Sequence, residues 1–247
     1  MPEALAINVA ANTTLPGFRA PIAPDGRFVY VPIPEREPTR EDVAVPTYGD
    51  LEFSLPVDTP GDLADRRVHL DPEFAGHHGS REYTYGDEHG VKAGPISDLE
   101  AGDYLLFYAT LERLDDPGGD YPDWAPPEWG AYLIGGFRLA VDPVTGEGYA
   151  DLSPDLRDRF ANNAHVKRAS FDAKVLALGD PGASALFDRA VPLSDPAVGA
   201  DPNRIVTELS ADSGRGPWWR RPLRFDETAT EKLLSVLRDR HGVWDPE

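Results

Sequence analysis

The strongest constraint on how this chain can fold lies between Leu99 and Asp142, where two apolar runs flank a proline-rich interruption. The first run, Tyr104 to Leu111, follows a Gly102-Asp103 turn signal within LEAGDYLLFYATLER. The second, Ala131 to Val141, lies in WGAYLIGGFRLAVD and contains Gly135-Gly136. Aromatic residues enrich both runs, which suits strands. Two long strands, the second kinked by glycine, predict neighbours in a curved, barrel-like sheet. The DDPGGDYPDWAPP segment between them reads as an insertion.

The other segments are predicted around that pair. Ala4 to Ala10 is a short apolar run that can open the sheet. Pro24-Asp25-Gly26 is a turn, and the alternating residues Arg27 to Ile33 follow it as an edge strand limited by Pro32 and Pro34. Glu35 to Gly61 reads as an irregular excursion with one short helix. Val68, Leu70 and Phe74 anchor a buried strand end, which turns His69 and Asp71 towards a cleft or solvent. Ala75 to Pro95 is Gly- and His-rich and polar, so a loop is expected. Ser153 caps a helix over Asp155 to Ala161 with Pro154 in its first turn. Ala173 to Leu178 is predicted as a strand, Ala183 to Arg189 as helical and Arg204 to Leu209 as a strand. The last element is a helix over Glu227 to His241. Thr228 and Glu231 form its capping box, Leu233, Leu234 and Leu237 its apolar face, and Gly242 its stop. The sum is one α+β domain spanning residues 1–247. Its mixed or antiparallel curved sheet, or PUA-like barrel, carries peripheral helices and long loops. The Gly-Asp, apolar-Phe-Tyr, apolar-Gly-apolar pattern itself resembles small PUA-like barrels, which bind RNA or modified bases.

Charge narrows the class. The chain has 43 Asp and Glu against 24 Lys and Arg, for a net charge of −19. Lysine occurs only at Lys92, Lys167, Lys174 and Lys232. A solvated acidic surface with little lysine points to a halophilic, archaeal source. Acidic residues occur in every segment, which favours solvation over mimicry of nucleic acid. Such a surface argues against non-specific DNA coating but leaves room for a small basic pocket. With no cysteine, disulfides, thiolate metal sites and thiol nucleophiles are excluded. No signal peptide or apolar membrane span is evident, so a cytoplasmic protein is expected. Walker, GxGxxG, GxSxG and kinase patterns are absent, which argues against the common nucleotide-cofactor folds and leaves the cofactor unknown.

Four constellations offer chemistry. His69 and Asp71 lie at alternate positions and so share one side of a strand, as an acid/base pair or as metal ligands. The competing reading, a surface histidine beside a turn-forming Asp-Pro, is favoured by the pattern alone. His77, His78 and His89 lie near Asp87 and Glu88, but their spacing fits no standard metal site, so no metal is expected. Asn162, Asn163, His165, Lys167 and Arg168 form the densest basic patch. They can hold a phosphate and read a base edge, or simply pair with neighbouring acids. Trp218-Trp219-Arg220-Arg221 can stack on bases, although a tryptophan pair packed in the core is the favoured reading.

The ordered set PIAPDGRFVYVPIPE, VHLDPEF, AGDYLLFYATLER and YLIGGFRLA, falling between Leu5 and Asp180, resembles the nucleotide modification associated domain family, third type. That family shows a Ser-Pro-Ile-x-Pro-Asp-Gly-Arg segment, then Pro-Ile-Pro, a His-Leu-Asp-Pro-Asp motif and a Gly-Asp-x-Phe-Leu-Phe-Phe strand. Asp25, Gly26, Arg27, His69 and Asp71 match its polar positions, and Asn163 and His165 match a later Asn/His region. Glu73 stands where the family has a second Asp. The family's opening Arg-Lys-Gly-Phe-Asp-Ser loop is replaced by Asn12-Thr13-Thr14 and Gly17-Phe18-Arg19. If that loop carries chemistry, the chain is a divergent or non-catalytic member.

The resemblance implies a role in modifying nucleotides or DNA bases. Nucleic acid or a nucleotide is then the expected partner, with modification-system proteins beside it. The expected catalytic residues are His69 as acid/base and Asp71 as its orienter. Asp25, Arg27, Asn163, His165, Lys167 and Arg168 are expected to bind substrate, with Arg27 as anion anchor. The alternatives are a non-catalytic reader, with Trp124, Trp129 or Tyr108 stacking on the base, and a structural partner. An enzyme requires His69, Asp71, Arg27 and His165 to converge, whereas a reader requires an aromatic cage.

Overall fold

The computed structural model describes residues 1–57, 61–114 and 120–246. Part of the proline-rich insertion and a short piece of the Glu35–Gly61 excursion lie outside the described residues. The strands are β1 (Ala4–Asn8), β2 (Ala20–Ile22), β3 (Ile33–Pro34), β4 (Val68–His69), β5 (Thr84–Asp87), β6 (Tyr104–Arg113), β7 (Trp129–Arg138), β8 (Val144–Thr145), β9 (Val175–Leu178), β10 (Ala185–Pro192) and β11 (Leu223–Phe225). The α-helices are α1 (Gly90–Ser97), α2 (Pro154–Phe160), α3 (Ala164–Lys167) and α4 (Glu227–Ser235).

The two apolar runs become β6 and β7, paired antiparallel from Tyr104↔Arg138 to Glu112↔Trp129 with a register shift at Phe107/Tyr108. β1 lies parallel along the other edge of β6, and β2 continues that edge beside Leu111–Arg113. The principal sheet thus runs β10-β7-β6-β1-β11, with β2 also on β6. β5, β9 and β8 form a second, antiparallel sheet, and β3 pairs with β4. Closure of a barrel requires the terminal strands to pair. Among the described residues β10 and β11 end the main ladder instead, so the fold is α+β with open, mixed and antiparallel sheets.

Four local expectations change. The segment expected to be helical, Ala183–Arg189, lies largely in β10, because β7 presents backbone groups that need partners and pairing outweighs weak local propensity. The strand expected over Arg204–Leu209 is a π-helical turn, Ile205–Leu209, whose first amide donates to Asn203 Oδ1 at 2.9 Å. Arg27–Ile33 is mostly irregular, since its prolines lack the donors a ladder needs, although Val29, Tyr30 and Val31 are buried. The loop expected over Ala75–Pro95 contains β5 and most of α1. The terminal helix forms as expected, with a π-helical continuation Val236–His241 ending at Gly242. Its N-cap is Asp226, which accepts from the Ala229 amide at 2.8 Å, and not Thr228. Ser153 caps α2 as expected, accepting from the Leu156 amide at 3.3 Å. No helix among the described residues is long and apolar enough to cross a membrane.

One aromatic cluster ties the main sheet to the segments beside it. Phe107 of β6 and Phe137 of β7 lie 4.6 Å apart, centroid to centroid, and Phe74 meets each edge-on at 5.6 Å. Tyr85 of β5 also reaches Phe107. Phe74 can approach because position 135 has no side chain: a Cβ there would stand 2.7 Å from Phe74 Cε1 and 2.8 Å from the Ala185 carbonyl. Overpacking of this kind costs about 1–3 kcal/mol. Gly135→Ala is therefore expected to lower stability by that amount, as measured by denaturant unfolding, with Gly94→Ala, where the added carbon meets nothing within 4 Å, as the control.

Candidate functional site

The site is assembled from three separate stretches of chain. β4 ends at His69, and Asp71 follows in a tight turn whose amide donates to the His69 carbonyl at 3.0 Å. Three residues on, Phe74 is locked into the core. β5 runs antiparallel to β9 and places Gly86 opposite Leu176. The Gly86 amide donates to both Asp71 carboxylate oxygens, at 3.1 and 3.0 Å. Asn163 caps α3 by accepting from the His165 amide at 3.0 Å, and this presents the His165 ring. A Cβ at position 86 would sit 2.6 Å from His165 Cδ2, so the close approach requires glycine.

The two imidazoles meet edge to face, with centroids 4.8 Å apart and planes at 86°. Their Nε2 atoms both face Asp71 Oδ2, at 3.8 Å from His69 and 3.4 Å from His165. Their Nδ1 atoms face outward to other carboxylates, His69 to Glu35 at 2.7 Å and His165 to Asp172 at 2.8 Å. Arg168 sits between these carboxylates. It donates to Glu35 Oε1 through Nη2 at 3.0 Å, and through Nη1 to Glu88 and Asp172. The side chains of His69, Asp71, His165, Arg168 and Glu35 are all nearly enclosed.

Enclosure and pairing compete in setting protonation. Burial pulls the His165 pKa down, but hydrogen bonds to Asp71 and Asp172 and the Asp71 charge outweigh it, and the pKa rises to about 9. Burial pushes Glu35 up, while His69, the Glu37 backbone amide and Arg168 prevail and hold it at about 2. His69, Asp71, His165 and Arg168 open on a cleft of about 390 Å³, which Asp87, Glu88, Lys92 and Arg36 also line. Burial raises the Asp87 pKa, with Lys92 opposing. Lys92 Nζ is committed to the Asn8 carbonyl at 2.8 Å.

The structure therefore brings His69, Asp71, His165 and Arg168 together and disperses the other candidates. Asn163 is fully buried, and its amide group contacts Thr84 Oγ1 at 3.1 Å and Asp71 Oδ1 at 3.4 Å, so it positions its neighbours. Lys167 borders a separate small cavity beside Asn162 and faces the charge of Glu73. Asp25 and Arg27 form a half-exposed ion pair at 2.6 Å and line other concavities with Arg189. Arg27 is thus not the anion anchor of this cleft. The loop histidines do not converge: His78 Nε2 bonds the Tyr30 carbonyl at 3.0 Å, and His89 is exposed beside Glu88. Trp218 is buried in the core, its Nε1 donating to the Ala200 carbonyl at 2.9 Å.

The sequence reading missed Glu35, Gly86 and Asp172, and it placed Glu88 only beside the loop histidines. Asp172 lies seven positions after His165 and Glu35 lies 34 before His69, and neither spacing forms a known signature. Among the described residues two groups have the donors to hold a metal: His69, Asp71 and His165, and Glu88, His165 and Asp172. The second already surrounds the Arg168 guanidinium.

Two outcomes follow. In Gly86→Ala the added carbon must displace His165, and a loss of about 1–3 kcal/mol is expected on denaturant unfolding. The raised His165 pKa stabilises the fold fully below the unfolded value of 6.5, and this contribution disappears as pH rises through about 9. Chelator-treated protein is expected to lose on the order of 3 kcal/mol across that window. His165→Gln is expected to flatten this part of the stability–pH curve.

Residues 3–235 match the family model described as nucleotide modification associated domain 3. No curated protein and no solved structure matches the chain.

Proposed function

The chain belongs to the nucleotide modification associated domain 3 family, and from that premise we propose that it is an enzyme acting on a nucleotide or a nucleic-acid base, with the His69–Asp71–His165 cleft as its reaction centre. The observation that carries this reading is the convergence of titratable groups on one open cleft. A reader of modified bases calls for an aromatic cage. Among the residues lining the cleft, Tyr85 has the only phenyl ring. Trp124 faces a different concavity, Tyr108 is buried with its hydroxyl on the Arg221 carbonyl, and Trp129 packs against Arg19 and Trp219.

The residues divide the work by their surroundings. Glu35 accepts the Nδ1 proton of His69, which leaves the Nε2 lone pair towards Asp71 and the cleft. That nitrogen is placed to take a proton from a bound group. His165 is held protonated between Asp71 and Asp172 and can return one. Asp71, fixed by the Gly86 amide, keeps both rings aimed at the same point. Arg168 is spent on carboxylates, so it supports these groups instead of gripping phosphate.

Mass spectrometry of nucleosides from DNA, RNA and the nucleotide pool, with and without the protein, tests the reading. A changed nucleoside is expected with the wild-type chain and with Arg27→Ala, and its loss is expected in His69→Ala and Asp71→Asn. Identical profiles with and without wild-type protein overturn the enzyme, and retained binding to a modified oligonucleotide would then favour a reader.

A further inference from the structure

We propose that His69 Nε2, one carboxylate oxygen of Asp71 and His165 Nε2 form a binding site for a single divalent first-row transition-metal ion, open towards the cleft.

The donor atoms are arranged for it. A metal ion bound at about 2.0–2.2 Å holds its ligand atoms roughly 3–3.5 Å apart. Here the Asp71 oxygen lies 3.4 Å from His165 Nε2 and 3.8 Å from His69 Nε2, and all three donors fall within 4.8 Å of one another. The edge-to-face packing of the two rings separates their lone pairs, so that both converge on a point beside Asp71. His69 Nε2 makes no hydrogen bond among the described residues, and Asp71 Oδ2 lies 3.8 Å from it.

The outer groups give an independent argument. Metal-binding histidines usually donate their other ring N–H to a carboxylate, which fixes the tautomer and the ring orientation. Both histidines do so here, towards Glu35 and Asp172. Those carboxylates are themselves anchored on Arg168. The arrangement orients two imidazoles towards a single carboxylate, as a metal ligand set requires. Asp71 is oriented in turn by the Gly86 amide.

Charge and access agree. Glu35, Glu88 and Asp172 surround a single guanidinium and Asp71 adds a fourth carboxylate beside the rings, so with neutral imidazoles the cluster carries surplus negative charge. The alternative trio of Glu88, His165 and Asp172 already encloses Arg168, which leaves the Asp71 side for a second cation. Three protein ligands facing a cleft leave coordination positions for water or substrate, as catalytic metal sites do and structural ones do not. Two imidazoles and one carboxylate suit zinc, iron(II), cobalt(II) or manganese(II) better than magnesium or calcium, which prefer oxygen donors. In the metal-loaded protein both Nε2 atoms are ligands and the proton transfer assigned to them passes to bound water; the ion would supply Lewis acidity or an activated water at the centre proposed above. Its binding stands apart from that reading, since ion uptake can be measured without any nucleotide.

The test uses the full chain stripped with chelator and titrated with cobalt(II) and zinc(II). One equivalent is expected to bind, with visible cobalt absorption and a raised melting temperature. Binding is expected to be lost in His69→Ala, Asp71→Ala and His165→Ala and retained in His77→Ala. Glu35→Gln and Asp172→Asn, which remove only the outer carboxylates, are expected to weaken it by about 10- to 100-fold. Pulsed electron paramagnetic resonance of the copper(II)-loaded wild type checks the ligands without any variant, and two imidazole nitrogens are expected. No uptake by the wild type, unchanged uptake in His165→Ala, or fewer than two imidazoles overturns the proposal. Metal uptake with unaltered nucleosides would keep this site and reject the proposed reaction, and the reverse result would do the opposite.

Discussion

A single buried guanidinium organises this molecule's polar centre. Moving an ion from water into a protein costs several kcal/mol, and only close pairing with satisfied hydrogen bonds offsets that cost. Arg168 meets the condition by pairing with Glu35, Glu88 and Asp172, which come from three distant parts of the chain. Those carboxylates are not free to choose other partners, and two of them set the orientation of His69 and His165. The tautomers of both rings therefore depend on a residue that itself faces mainly acids. Removing it would leave buried charges unpaired, a larger loss than the deletion of any one contact.

The apolar core holds this polar centre from the other side. Phe74 lies three residues beyond Asp71 and packs against both long central strands. Tyr30 Oη donates to the Pro72 carbonyl at 2.9 Å, so the intervening turn is fixed as well. Tyr85 packs on Phe107 next to Gly86, which holds Asp71. The sheet contributes rigidity, and the segments beside it contribute the reactive groups. Glycines at positions 135 and 86 allow the two close approaches on which this division depends.

How much of this was legible in the sequence follows from the range of each force. The central strands, the opening strand and the terminal helix were readable because local apolar patterning and caps specify them. β10 was not, because its conformation is set by the edge of β7 and not by its own residues. β5 and α1 were hidden in a segment whose polar composition suggested a loop, yet every residue of β5 is buried. For the site, alternation placed His69 and Asp71 together, and the basic patch and the family resemblance both pointed to His165. The same methods grouped Arg27 and Lys167 with them, because a positive charge carries no mark of which cavity it faces; the structure sets both on other concavities. Glu35 and Asp172 carried no signal: acidic residues are so abundant in this chain that two with a buried partner look like all the others.

That abundance bears on what the cleft can recognise. Of the chain's four lysines, Lys92 and Lys167 are buried beside the acids Asp87 and Glu73, and their cationic character is weakened by burial. Arg168 is consumed in the same way. The positive charge that a sequence reading assigns to phosphate is thus largely spent inside the protein, and Asp71, Asp87 and Glu88 line the cleft. A polyanion brought here gains little from simple attraction. Discrimination must come from groups that read a base or sugar at short range, such as Asn8, Asn12 and Arg36 on the lining, or from a cation held by the acids. The arrangement of the two histidines favours the second route, since two rings aimed at one carboxylate, each backed by an outer carboxylate, are what a metal ligand set requires.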